Sequence, residues 1–430
     1  MFFLRFFSLL CVCYFFVLGF FSSRVLVAKE ADLDLSRLLV QKGVLSSEDS
    51  NSVKKNVWRK KSYSSCKESL LNRCQTVLPS WVSDLKWEGD FNVICDSLDR
   101  DTTPVETPKR KRLRARVRFG FKTDLDSKVE AGFRMITGSK GAPVSTNSDF
   151  SSIFNSQEIS IDRAYAKYTH NDYLSLLFGK FSNPFFSTSL IFDKDLAFDG
   201  LAEMFKYKTN DIDCYLITGQ FPIDANDLQE DSAWLYAGQC GAIFSPQKGV
   251  KMEVALANYR YSNMFRRLSL GDAFGGIDLS GASMLSDSRY LHDYNIYNVN
   301  SQVDLFMADV PFTFLCEYVK NVGTIDLDSK EYDTGYQVGV HVGKASHPKT
   351  LEAFLYYRKL DPNAVVDVFT DADFGGGGTN CKGIKTGLKY QLSQNVQFGM
   401  TYVDAGLVTK KPNVETEDTQ SFRLDMNVKF

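Results

Sequence analysis

The sequence predicts an all-β fold: a transmembrane antiparallel β-barrel of about 16 strands, preceded by a short N-terminal helical segment. Three observations carry that expectation. From Trp87 to Phe430 apolar and polar residues alternate with a period of two. The connections between the alternating stretches are by turns short and long. Beyond residue 30 no run approaches the roughly 20 apolar residues that a membrane-spanning helix needs, so a chain with a secretory start can sit in a membrane only as a closed barrel.

Composition narrows the function classes before any motif is read. The 430 residues carry 50 Lys+Arg against 52 Asp+Glu, a net charge of -2, and lack the basic excess of a dedicated nucleic-acid binder. With 44% hydrophobic and 13% aromatic residues the chain is not a disordered one. Its length suits two or three ordinary domains or one large β-architecture.

The N-terminus sets the destination. Arg5 is followed by an apolar stretch from Phe6 to Phe21, then Ser22, Ser23, Arg24 and a Val25-Leu26-Val27-Ala28 exit, which reads as a signal peptide over 1–28 with cleavage after Ala28. An uncleaved helical anchor is the alternative. Cys11 and Cys13 would leave with the signal. The remaining seven cysteines are scattered, without a CxxC pair; Cys66 and Cys74 are close enough in sequence for a disulfide, although spacing alone does not establish its geometry.

Residues 29–84 form the helical segment, lying in the periplasm or plugging the barrel. Leu33, Leu35, Leu38 and Leu39 recur at helical spacing up to a Gly43 break, and Ser46 or Ser47 with Glu48 and Asp49 starts a second helix with an acidic first turn. The Lys54–Lys61 charge run reads as a solvated helix face.

Residues 85–430 form the barrel. Strands are expected at 86–95, 111–122, 127–137, 157–168, 172–181, 196–208, 212–221, 233–244, 249–261, 294–307, 311–320, 332–343, 349–359, 383–392, 395–404 and 419–430. The last is the clearest: Phe422, Leu424, Met426, Val428 and Phe430 alternate with Arg423, Asp425, Asn427 and Lys429, one face for lipid and one for a wet lumen. Tight turns at 123–126, 169–171, 209–211, 245–248, 308–310, 344–348 and 393–394 alternate with polar loops, the longest from Ser262 to Asp293. A sandwich has no reason to sort its turns in this way, whereas a bacterial barrel has short periplasmic turns and long outer loops. Tyr168, Tyr173, Tyr207, Phe244, Phe312 and Tyr390 lie beside the tight turns, where an interfacial girdle belongs.

Several short motifs then occur in a characteristic order. Arg112-Leu113-Arg114-Ala115-Arg116-Val117-Arg118-Phe119-Gly120, Ala131-Gly132-Phe133-Arg134 with Thr137-Gly138, and Ser145-Thr146-Asn147 are followed by Ile161-Asp162-Arg163-Ala164-Tyr165, Gly179-Lys180, Asn183-Pro184-Phe185 and Asp193-Lys194-Asp195-Leu196 with Asp199-Gly200-Leu201. With the head element Leu38-Leu39-Val40-Gln41-Lys42-Gly43-Val44-Leu45, this order resembles the bacterial putative porin family over nearly the whole chain after the signal. The resemblance implies an outer-membrane barrel that passes small hydrophilic solutes or ions by passive diffusion, with no cofactor, and makes a homotrimer plausible. Terminal Phe430 resembles the signal that the barrel assembly machinery recognises.

If Leu113, Ala115, Val117 and Phe119 face lipid, then Arg112, Arg114, Arg116 and Arg118 line the pore, joined by Lys128 and Arg134 on the hairpin partner. Such a wall of fixed guanidinium forks would favour anions. The same arginines also suit a lumenal salt network with Glu88 and Asp90. The strand at 157–168 changes phase; a bulge near Asp162 would point Arg163 and Lys167 inward. The loop from Ser182 to Asp195, with Asp193 and Asp195, is the candidate constriction loop.

Other chemistry finds no support. Asp371-Ala372-Asp373-Phe374-Gly375-Gly376 is similar to the start of a calcium loop, but Gly375 stands at the fifth position and Lys382 where the closing Glu belongs, so a flexible glycine loop is expected over Gly375 to Gly378. There is no GxxxxGK[ST], HExxH or GxSxG pattern. His341, beside Gln337, could face the lumen, but one histidine makes no triad. The rival readings are a closed barrel serving as adhesin or receptor through its long loops, an outer-membrane enzyme, and a soluble secreted β-protein.

Overall fold

The computed structural model describes residues 80–430 apart from 104–108, 139–143, 145, 151–155, 225–231, 268–269, 271–288, 324–331 and 410–415. The signal peptide, nearly all of the helical segment, Cys66, Cys74 and most of the loop from Ser262 to Asp293 lie outside the described residues.

After one helical turn, Ser80–Ser83, a single antiparallel sheet runs to the C-terminus. Its strands are β1 (Lys86–Thr103), β2 (Arg110–Asp124), β3 (Val129–Thr137), β4 (Ser148–Asp149), β5 (Ile159–Thr169), β6 (Leu174–Ser182), β7 (Ala197–Lys208) and β8 (Ile212–Asp224). They continue as β9 (Ala233–Gln247), β10 (Val250–Ser262), β11 (Asn295–Met307), β12 (Val310–Asn321), β13 (Thr334–Gly343) and β14 (Thr350–Leu360). The last three are β15 (Cys381–Gln391), β16 (Val396–Leu407) and β17 (Thr416–Lys429). Sixteen are long; β4 is a two-residue strand that a long loop lays against β2. Each long strand pairs with its neighbours in sequence, and β1 pairs with β17 from Asp90↔Lys429 to Thr103↔Thr416, which closes the barrel. Closure leaves no open edge, the condition for strands to cross a bilayer.

Side-chain burial follows the alternation. Leu216, Val254, Leu256, Phe314, Leu355, Leu388 and Met400 are exposed on the outer face, while Arg423, Asp425 and Asn427 of β17 point into the lumen. At the short-turn end, Trp87 stacks on Phe119 at 5.2 Å between centroids, Phe119 on Phe430 at 6.5 Å, and Tyr173 on Tyr207 at 6.3 Å. Rings at this level suit a membrane interface, with one end apolar and the other wet.

One strand runs past its expected end, and the bulge expected near Asp162 is present. β1 runs to Thr103 rather than 95, because Asp96 to Thr103 is polar on nearly every residue and the lipid signature stops while backbone pairing to β17 continues. The β3–β5 register shifts between Arg134 and Met135, with Arg134 opposite Arg163 and Met135 opposite Ile161. Asp162 is the extra residue of that bulge, which accounts for the phase change.

The lumen is unlike the uniformly polar interior the alternation suggests. Phe198, Phe221, Leu235, Tyr259 and Tyr261 of β7 to β10 point inward and pack against Phe185, Leu190, Ile191 and Phe192 of the loop between β6 and β7. Val365, Val366, Val368 and Phe374, from the loop between β14 and β15, complete this apolar core. The barrel therefore encloses a core, and the polar passage is left beside it.

A charge on the lipid face tests the orientation. Leu256→Arg, at the middle of β10 with 54% of its surface exposed, is expected to cost about 2–4 kcal/mol, measured by denaturant unfolding in lipid vesicles.

Candidate functional site

The first two strands build the charged wall in register. Asp90 faces Arg118 and Asp96 faces Arg112 across the β1–β2 ladder. Arg112 Nη2 lies 2.8 Å from Asp96 Oδ2, and Arg114 reaches the same carboxylate. Arg118 Nε lies 2.6 Å from Asp90 Oδ2, and Arg116 Nη2 3.1 Å from Asp90 Oδ1. Asp195, on the inserted loop, stands 3.5 Å from both Arg116 and Arg118 and so docks the loop on the wall. Glu88 takes Lys122 instead.

The remaining cations fall elsewhere. Arg134 pairs with Asp162 in the bulge, and Arg163 Nε lies 3.8 Å from the same Asp162. Lys167 stands opposite Glu130 in the β3–β5 register. Lys128 is exposed in the turn before β3, where its N–H donates to Asp126 Oδ1; the strand starts at Val129, so Lys128 is not on the lumen wall. Of these basic residues, Arg116 and Arg118 border the central cavity.

Residues 183–196, between β6 and β7, enter the barrel and are held by side chains from strands far along the chain. Gln239 accepts from Phe186 N–H and donates to its carbonyl, both at 2.8 Å, and Asn300 donates to the same carbonyl at 3.1 Å. Glu317, fully buried, accepts from Thr188 N–H at 3.0 Å and from Asn298 and Asn300 at 2.9 and 3.1 Å. Backbone buried away from water needs such partners.

A second loop, 361–380 between β14 and β15, also enters the barrel, where the sequence suggests only a flexible glycine loop. Gly375, Gly376, Gly377 and Gly378 have φ of +62°, +88°, +96° and +79°, a left-handed run that only glycine adopts freely. The run is compact, not slack: Gly377 N–H donates to the Phe374 carbonyl at 3.0 Å and Thr370 Oγ1 to the Gly378 carbonyl at 2.9 Å. The carboxylates that resembled a calcium set are occupied by cations. Asp371 pairs with Lys385 at 2.8 Å and Arg358 at 3.5 Å, and Arg423 grips Asp373 with two nitrogens. Burial raises the Asp373 carboxyl, but the Arg423 guanidinium outweighs it and holds it well below the usual carboxylate range.

Arg358 joins both loops to the wall. It is 1% exposed, donates to the Ser189 carbonyl of the first loop at 3.1 Å, pairs with Asp371 of the second, stacks on Phe374 at 4.4 Å and donates to Gln337 at 2.8 Å. Asp193 adds a direct clasp: its N–H donates to the Phe369 carbonyl at 2.7 Å and its Oδ2 accepts from Ala372 N–H at 3.0 Å. Burial and the Asp371 carboxylate push Asp193 up to about 7.

Beside this plug lies a cavity of about 790 Å³, bordered by Asn92, Arg116, Arg118, Lys194, Lys389, Gln397, Thr401, Asp425 and Asn427 among others. His341 also borders it, with Nδ1 3.0 Å from Glu352 Oε1 and Nε2 on the Tyr356 hydroxyl.

Two outcomes follow from the clasp between the loops. Arg358→Met should lose about 3–5 kcal/mol, because it leaves Asp371 short of a buried partner, and limited proteolysis should then cut within 183–196 and 361–380. Asp193 binds its proton more tightly in the folded loop than in the unfolded chain, so its stabilisation is full below about 3.8 and declines as pH rises to about 7. The protection of the Ala372 amide, with the intrinsic rise of the exchange rate divided out, should fall across that window, and Asp193→Asn should remove that fall.

Solved barrel structures resemble this chain at low sequence identity. OprB of Pseudomonas putida superposes with a TM-score of 0.52 at 12% identity over 81% of this chain and 95% of that one, which supports the barrel architecture. OmpF of Salmonella typhi, solved with daunomycin, gives 0.48 at 10% identity over 81% and 99% of the two chains. No curated protein matches the sequence. The family model described as "Putative porin" matches residues 88–297 and 290–430, and with the closed barrel and its inward loops in place, the chain belongs to that family.

Proposed function

We propose that this protein is an outer-membrane porin through which small hydrophilic solutes diffuse passively. The observation that carries the reading is the cavity of about 790 Å³ inside a closed barrel, lined by charged and amide side chains and narrowed by two pinned loops. Such a passage is driven by the solute gradient alone and needs no cofactor. Charged walls of this kind set ion preference by field and bore.

The anion preference expected of the arginine wall is weak in this reading. Arg112, Arg114, Arg116 and Arg118 share Asp90, Asp96 and Asp195, which cancels most of their field. The cavity border still carries seven Lys and Arg against five Asp, a small cationic surplus. The remaining parts of the proposal are a secretory leader removed after Ala28, assembly through terminal Phe430, whose N–H and carbonyl bond Gly89 at 3.0 Å each, and a homotrimer in the membrane.

A closed barrel acting as a receptor is the second reading, and the extent to which the two loops fill the lumen favours it. Planar-bilayer conductance separates the two. The purified protein should give stepwise openings, and Arg116→Ala, which leaves Asp90 and Asp195 to Arg118 alone, should move the reversal potential under a salt gradient toward cations. A folded barrel without openings would promote the receptor.

A further inference from the structure

Among the charged groups bordering the cavity, nearly all are occupied. Arg116 and Arg118 hold Asp195, Arg358 and Lys385 hold Asp371, Arg423 holds Asp373, and Lys389 holds Glu352 at 2.8 Å. Asp193 is satisfied by two backbone N–H groups. Lys194 and Asp425 are the exceptions: among the described residues neither charged group has an ion-pair or hydrogen-bond partner.

One is carried by the inserted loop and the other by the barrel wall, and both border the cavity. Lys194 is exposed on the inserted loop, between the docked Asp193 and Asp195. Asp425 is on the β17 wall opposite Gly399, and its carboxylate lies across that glycine, where a Cβ would collide with it. The acids whose field acts on Lys194 already have direct partners of their own, so among the described residues bordering the cavity its ammonium is the cation without a direct partner. Asp425 is the corresponding anion. A neutral solute would use neither, and a simple anion or cation only one.

We propose that Lys194 and Asp425 form a binding step for small zwitterionic solutes of the free amino-acid class, with the carboxylate of the solute at Lys194 and its ammonium at Asp425. The proposal rests on the porin reading. Both contacts are charge-assisted hydrogen bonds in a confined lumen, stronger there than in bulk water. They are single contacts, weak enough for the solute to leave, as conduction requires.

The test uses full-length protein purified from membranes and reconstituted in liposomes. Swelling is compared in glutamine, a zwitterion, and in arabinose, an uncharged solute of similar size. The wild type should admit glutamine several-fold faster than arabinose, and Lys194→Gln and Asp425→Asn should each bring that ratio toward unity. In planar bilayers the reversal potential should move toward cations for Lys194→Gln and toward anions for Asp425→Asn, opposite shifts that loss of structure would not produce. A wild-type ratio near unity, a ratio that both substitutions leave unchanged, or potentials that move in the same direction would overturn the site while leaving the porin in place. Failure of a folded wild-type barrel to admit arabinose would overturn the porin reading and the site with it.

Discussion

Backbone pairing between β1 and β17 is the constraint on which the other features depend. In hydrocarbon an unpaired strand edge has no water to satisfy it, so the first and last strands must meet along their length. The β1–β17 ladder runs from Asp90↔Lys429 to Thr103↔Thr416, and the terminal Phe430 adds its own pair of bonds to Gly89. Once sixteen long strands close, the interior is too wide for wall side chains alone to fill. Segments from the long-loop side then have to enter it, and every polar backbone group they bring needs a partner inside.

Those partners explain why charge is so dense in this lumen. Gln239, Asn300 and Glu317 bond the backbone of the first inserted loop, and Arg358 ties it to the second. The arginines of β2 contribute to the same scaffold, since Asp195 docks on Arg116 and Arg118. A buried network of this kind stabilises only when each member is satisfied. Much of what reads in the sequence as a cationic surface is thus internal support, and the groups left for a solute are few.

The strands were legible because both signals that mark them are local: the period of two, and the short turns. Where β1 becomes polar on both faces, after Asp96, the pattern says nothing although the strand continues. The inward course of 183–196 was legible from length and acidic residues, but not its anchors, because Glu317 and Gln239 stand in ordinary alternating stretches with nothing to mark their partners. Arg358 is the one arginine of β14, and its alternating stretch does not mark the loops that it holds. Four glycines from Gly375 to Gly378 suggest slack, whereas their left-handed backbone makes a tight turn behind buried Phe374. Lys194 stands in the Asp193-Lys194-Asp195-Leu196 motif, where nothing local distinguishes it from its acidic neighbours.

The apolar core on one side of the lumen separates two quantities that a simple barrel ties together. Circumference is fixed by strand number and by the bilayer around it. Bore is fixed by how much of the cross-section the Phe185–Phe192 and Val365–Phe374 packing occupies, which leaves the passage eccentric, against the wall that runs from β11 through β17 to β1 and β2. Sieving could therefore drift over generations by exchange of a few phenylalanines and leucines for smaller residues, with no alteration to the surface that meets lipid.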